Sequence, residues 1–313
     1  MSHFTEINFN QQSPRAVVMV RPHHFRSNPE TTSDNTFQVQ QSELNQNETS
    51  IRALEEVTNA VSILRSHGVT VHLFEDIKKL TPDSVFPNNW FSTHADGSIG
   101  IYPMYFANRR KERKKEIIEL LKSQYRVEKI IDYSHFENKN IFLEGTGSVV
   151  LDHINRIAYA VKSNRTSFEA LTAFCSDFNY RPMFFEARDK SGTPIYHTNV
   201  FLSIAEKFAL VGLDLIPDKA ERQQVLNLLV SSGKEVIELS SNQIENFTAN
   251  ALELTSSQGK LLAISRTAFR ALTQSQISTI EKYAKPVVID IPTIESAGGS
   301  IRCMLAGIHL ELR

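Results

Sequence analysis

The chain has 313 residues, 41% of them hydrophobic and 22% charged, which are the proportions of a globular protein and not of a disordered or fibrous one. Thirty-four Lys and Arg against 35 Asp and Glu leave a formal charge of −1, so there is no basic excess for nucleic acid or an anionic membrane surface. Two cysteines, Cys175 and Cys303, are too few for a disulfide framework.

No apolar run approaches the roughly 20 residues of a membrane span, and the start MSHFTEINFN lacks the basic-then-apolar order of a signal peptide. The expectation is a cytoplasmic protein. A chain of this size can bury roughly three quarters of its unfolded surface, enough for a full core.

Residues 27–50, rich in Asn, Gln, Ser and Thr, read as a long loop, either a lid or a disordered segment. Ile51, Leu54, Val57, Val61 and Leu64 then recur at helical spacing, with His67-Gly68 as a stop, and 69–74 reads as a strand. Trp90-Phe91 opens a hairpin that turns at Ala95-Asp96-Gly97 and returns over 98–102. A basic helix is expected from about Asn108 to Ser123, with the Arg109–Lys115 charge run as its solvated face, and a strand over 127–132.

The same order recurs three times: hairpin 147–161, helix 166–177, strand 181–187; hairpin 199–213, helix 217–231, strand 234–240; hairpin 251–265, helix 267–284, strand 287–291. These are four strand–turn–strand–helix–strand units with a period near 53. Joining the ends makes a fifth: 303–310, 16–22, helix 51–66 and strand 69–74. Repeats of about this length signal radial or solenoid architectures, and a unit shared by both ends favours a closed ring without exposed sheet edges. The expected fold is an α/β, five-bladed pseudo-symmetric α/β propeller of strand-strand-helix-strand units, closed by the C-terminal strand, with residues 1–313 as one domain.

The residues opening the five hairpins are Asn89, Glu144, His197, Asn250 and Cys303. Equivalent repeat positions converge on the axis of such a ring, so a nucleophile, an acid/base, a carboxylate and two amides would meet in one pocket. AGGSIRC places glycines and the cation Arg302 just before the Cys303 sulfur, and a cationic neighbour favours a thiolate. Cys175, inside the helix LTAFCSDF, reads as core packing. There is no Cys/His cluster with zinc spacing and no phosphate-loop or dinucleotide fingerprint, so no metal or cofactor is expected.

These motifs resemble the guanidine-modifying superfamily, the pentein fold of arginine deiminases, dimethylarginine hydrolases and amidinotransferases. FPNNW (86–90) is similar to that family's Phe-x-Arg-Asp segment, LEGTGS (143–148) to Glu-Gly-Gly, SNRT (163–166) to Ser-x-Arg-Thr, HTN (197–199) to His-x-Asp, and GGSIRC (298–303) to its cysteine loop. RPHHF (21–25), YPMYFANRRKER and YHTNV look like an amidinotransferase-like, arginine-deiminase-related branch that includes citrulline-utilisation hydrolases. The resemblance implies Cys303 as nucleophile, His197 as acid/base and Glu144 as its orienting carboxylate. Asn88, Asn89, Asn199, Asn250 and Arg302 would lie against the substrate, with Arg165 on its carboxylate.

Asn89 and Asn199 stand where deiminases usually carry Asp. A buried cation needs carboxylates, whereas amides satisfy a neutral ureido group. The expected activity is therefore hydrolysis of citrulline to ornithine, CO2 and ammonia through a covalent cysteine intermediate. Arginine hydrolysis or amidino transfer is the alternative, and a non-catalytic binder such as an initiation factor of the same fold a third reading. The only expected partner is a small amino-acid substrate, and a homo-oligomer is compatible with the sequence.

Overall fold

The computed structural model describes residues 11–38 and 46–313. Residues 1–10 and 39–45, which include the N-terminal decapeptide and part of the expected 27–50 loop, lie outside the described residues.

Among the described residues, fifteen strands form five three-stranded sheets. In each, a first strand pairs antiparallel with a central one, which pairs in parallel with a third reached through a helix. The first sheet joins the two chain ends: β1 (Ala16–Pro22) lies between β2 (Thr70–Asp76) and β15 (Ala306–Ile308), with Val17 opposite both Val71 and Gly307. The others are β3 (Phe91–Thr93), β4 (Ser98–Ile101) and β5 (Lys129–Asp132); β6 (Val149–Asp152), β7 (Ile157–Val161) and β8 (Arg181–Phe185). Then come β9 (Leu202–Ile204), β10 (Phe208–Val211) and β11 (Glu235–Glu238), and finally β12 (Leu252–Ser256), β13 (Gly259–Ser265) and β14 (Lys285–Ile289).

The central strands β1, β7, β10 and β13 are buried along almost their whole length, which explains their unbroken apolar runs. First strands pack on their neighbours: β15 on β3, β6 on β9, β9 on β12. The turn Ile301–Met304 packs on β13, so the last unit touches the one before it.

Three expectations need correction. The first helix begins inside the expected loop, at Gln46–Ser66, and its buried stripe is Ala53, Val57, Ala60, Val61 and Leu64, while Ile51 is exposed. The helix expected over 267–284 is two, Arg266–Ala271 and Gln274–Glu281, because Thr273 and Gln276 form a capping box that starts the second. The basic helix expected from Asn108 is a 3-10 turn, Arg109–Glu112, followed by the helix Lys115–Gln124. Its charge run is solvated only in part, at Lys111 and Lys115. Arg109, Glu112 and Lys114 are buried, because Lys114 pairs with Asp76 at 3.0 Å and Arg109 meets acids from three segments.

Candidate active site

Each of the five matched residues sits where a short turn feeds a first strand. Asn89 ends the turn Pro87–Asn89 before β3, and Glu144 precedes the turn Gly145–Ser148 before β6. His197 precedes Thr198–Val200 before β9, Asn250 leads into β12, and Cys303 lies in Ile301–Met304 before β15. All five are buried. Asn89, Arg165, His197 and Cys303 line one cavity of ≈ 20 Å³, together with Asp83, Arg109, Tyr196 and Gly298–Gly299.

Glycines permit this convergence. A Cβ on Gly147 would lie 2.2 Å from Asn89 Nδ2 and 2.8 Å from His197 Nδ1, inside any allowed contact. Gly145 has φ +46°, and a Cβ there would meet the Asn88 carbonyl at 2.5 Å.

His197 Nε2 lies 2.8 Å from Glu144 Oε2. Burial favours the neutral carboxyl, but Arg165, His197 and Arg109 outweigh it and hold Glu144 well below the usual carboxylate range. An ionised carboxylate only accepts, so His197 Nε2 donates and Nδ1 keeps a lone pair. Burial lowers His197 to about 4, against the opposing pull of Glu144; the resting imidazole is neutral at pH 7. The second Glu144 oxygen accepts the Tyr105 backbone N–H at 3.0 Å.

Two amides aim at the cysteine: Asn250 Nδ2 is 3.3 Å and Asn199 Nδ2 3.4 Å from Cys303 Sγ. They would hold charge as sulfur becomes anionic. Their carbonyl oxygens, Asn250 Oδ1 and Asn199 Oδ1, are buried without a partner among the described residues, as is Asn89 Nδ2. Buried polar atoms left unpaired are costly, and they cluster where a ligand is to be bound.

More acids stand around this site than the five matched positions supply, although Asp83 is the one acid among the described lining residues, beside Arg109 and Arg165. Arg109 bonds Glu112 through Nε and NH2, both at 3.0 Å, and lies 3.7 Å from Asp83 and 3.5 Å from Glu144. Burial pushes Glu112 up to about 8 and raises Asp83. Arg165 lies 3.6 Å from Glu144, between the rings of Tyr196 at 4.6 Å and Phe106 at 5.0 Å. Its Nε and NH2 bond both oxygens of Asp34, from the segment that the sequence leaves as lid or disorder. The next residue, Asn35, lines the cavity, with its Nδ2 donating to Ala297 O at 3.2 Å.

Glu144, Asn199 and Asn250 do not line the cavity, contrary to expectation, but bond the His197 and Cys303 side chains that do; two further sequence-selected residues point elsewhere. Asn88 Nδ2 bonds Thr146 Oγ1 at 3.3 Å and does not line the cavity. Arg302 faces away from the Cys303 cavity into a separate chamber, because consecutive residues of one short turn project in different directions. Arg109, Asp83, Glu112 and Asp34 were not singled out, although Arg109 and Glu112 lie in the family-like stretch YPMYFANRRKER and Asp34 lies within the family-like NPET…NTFQ loop. Cys175 is buried with Phe174, Phe178 and Tyr180 as expected, and burial pushes its thiol up to about 12.

Residues 21–310 match the family model for N,N-dimethylarginine dimethylhydrolase, eukaryotic. The chain belongs to this family. It is thereby a member of the pentein, guanidine-modifying superfamily, and no curated protein matches it. Among solved structures it is similar to the N-terminal domain of ArgZ bound to substrate, an arginine dihydrolase from the ornithine–ammonia cycle in cyanobacteria: 14% identity, TM-score 0.72, covering 94% of this chain and 97% of that one. It is also similar to AgrE in complex with ornithine and NAD+ (18%, TM-score 0.74), covering 95% of this chain and 40% of AgrE. A third similar structure is a dimethylarginine dimethylaminohydrolase adduct with S-methyl-L-thiocitrulline (15%, TM-score 0.62; 94% and 100% covered). At these identities the likeness is one of fold. No helix among the described residues is long and apolar enough to cross a membrane.

Proposed function

We propose that this family member hydrolyses the guanidino group of arginine or a close arginine derivative through a covalent adduct on Cys303. The observation that carries this reading is the charge of the site. Four acidic side chains, Asp34, Asp83, Glu112 and Glu144, stand around two guanidiniums, Arg109 and Arg165, although Glu112, raised to about 8, is largely protonated at neutral pH until a further cation arrives. Glu112 and Asp83 are raised by burial and gain from an additional cation. This reverses the preference for citrulline, which counted only the amides Asn89 and Asn199; the missing carboxylates come from segments outside the repeat-matched positions.

In the proposed cycle neutral His197 takes the Cys303 proton through Nδ1, and Glu144 stabilises the imidazolium. Sulfur bonds the guanidino carbon. The C–N bond to the departing nitrogen then breaks as His197 returns the proton, releasing ammonia. Water, activated by the same imidazole, attacks the adduct, and the sulfur leaves, giving a ureido product. Asn199 and Asn250 accept substrate N–H groups with their free oxygens. Arg165 anchors the substrate carboxylate after Asp34 yields its fork. The five sheets serve as blades of a closed ring that brings these residues to its axis.

A guanidinium carries only donors, which suits two free acceptors, and N-methylation removes donors and adds bulk in a small cavity. The kcat/KM values for arginine, N,N-dimethylarginine and citrulline test this, read by release of ammonia or dimethylamine. Arginine is expected to exceed citrulline by at least about tenfold, as for a missing charged hydrogen bond. Citrulline turned over as well as arginine would sink the guanidino reading. Dimethylarginine turned over best would keep it and overturn the argument on methylation.

A further inference from the structure

The strands that carry the catalytic turns enclose a second space. Phe91–Thr93, Val150-Leu151, Leu202–Ile204, Leu252 and Ala306-Gly307, one segment from each sheet, wall a chamber of ≈ 40 Å³. Gln12 helps close it by donating to the carbonyls of Leu151 and Ile204, at 2.9 and 3.1 Å.

Its charge is one-sided. Arg302 lines the chamber with His153 and His309, and no Asp or Glu is among the described lining residues. Among the described residues the Arg302 guanidinium makes one hydrogen bond, from NH1 to the Leu305 carbonyl at 3.1 Å. It has no carboxylate within ion-pairing distance among the described residues, whereas Arg109 and Arg165 each have more than one. The neighbouring Cys303 lines the other cavity. The rings of His153 and His309 lie 4.1 Å apart at a tilt of 33°, and Tyr180 OH bonds His153 Nδ1 at 2.8 Å. Burial lowers His309 to about 4, helped by the Arg302 charge. Burial likewise lowers His153 well below its usual value, with His309 and Arg302 among the charges that add to it. Protons are repelled from this place.

Arg302 is only partly buried, but a guanidinium with no carboxylate partner attracts an anion, and its planar fork matches a planar oxyanion through two parallel N–H donors. A space of this size holds about three or four water-sized atoms. We infer that the chamber is a binding site for one small planar oxyanion, a carboxylate or an inorganic anion, held by the free edge of Arg302. This site is separate from the catalytic cavity and independent of the identity of the guanidino substrate.

Thermal unfolding of the full chain tests it, with acetate, nitrate and bicarbonate titrated at fixed ionic strength against gluconate, an anion too large for the chamber. A ligand that binds only the folded state raises the unfolding temperature saturably. The wild type is expected to show that saturable rise, and Arg302→Gln to need at least about tenfold more anion for the same rise. Arg165→Gln should leave the response unchanged, which separates this site from the proposed carboxylate anchor. A response to acetate alone identifies a carboxylate ligand, and equal responses identify any planar oxyanion. If Arg302→Gln does not fold, Arg302→Lys, which keeps the charge but loses the fork, is expected to weaken the response several-fold. An unchanged response in either Arg302 variant, its loss in Arg165→Gln, or a rise that never saturates in the wild type would overturn the proposal.

Discussion

His197 and Glu144 divide one task between two kinds of burial. The imidazole loses solvent and stays neutral; the carboxylate loses solvent and stays charged, because Arg165, Arg109 and His197 surround it. Glu144→Gln should keep the hydrogen bond to Nε2 but remove the charge that stabilises an imidazolium. A charged hydrogen bond is worth about 1.5–3 kcal/mol, so kcat should fall roughly 10- to 150-fold. The pH profile carries the sign. His197 is a base only when neutral, and its value of about 4 places the acid limb of kcat/KM below the usual histidine range near 6.5. Glu144 pulls His197 upward, so the variant should move that limb further down while the plateau drops. A limb that rises toward 6.5 in Glu144→Gln would contradict this assignment of charge.

At the scale of elements, short turns aim the chemistry and glycine lets them meet. Gly147→Ala places a Cβ against Asn89 and His197, on a turn whose neighbours need not unfold to avoid it. The expected result is a loss of kcat of at least about a hundredfold, a displacement of reacting groups of the order that costs such a factor, with an unchanged circular dichroism spectrum. Near-wild-type turnover would show that the turn is less tightly fixed than its contacts imply.

The repeat of strand, helix and strand was legible because the central strands are buried on both faces and read as apolar runs. The five hairpin-opening residues were legible from their spacing. Arg109, Asp83 and Glu112 were not, because a charge run looks solvated until distant acids are brought against it. The break at Leu272-Thr273 was hidden because a capping box lies inside a helix-compatible pattern. Asp34 could not be found from periodicity, since it comes from an irregular segment that reaches Arg165 across 131 positions.

At the scale of the whole molecule, the first sheet is made from both ends of the chain, with β15 the antiparallel partner of β1. Ala306, Ile308 and Leu310 are buried in the same cluster as Val18, Val20 and Trp90. Deleting residues 306–313 removes these side chains and leaves one edge of β1 unpaired. Burying three such side chains contributes several kcal/mol, against a typical net stability of about 5–15 kcal/mol. The truncated chain should lose its cooperative thermal transition or unfold at least about 10 °C earlier. A wild-type transition would mean that the joined ends do not hold the structure together.

The central claim, covalent catalysis on the guanidino carbon by Cys303, is tested most directly by acid-quenching the enzyme during turnover of arginine and mapping adducts by peptide mass spectrometry. The two cysteines provide an internal control: Cys303 lines a cavity with His197, while Cys175 is packed among aromatic rings. The account predicts an amidino adduct on the Cys303 peptide and none on the Cys175 peptide. Turnover with no adduct at Cys303, or full activity in Cys303→Ser, would contradict it.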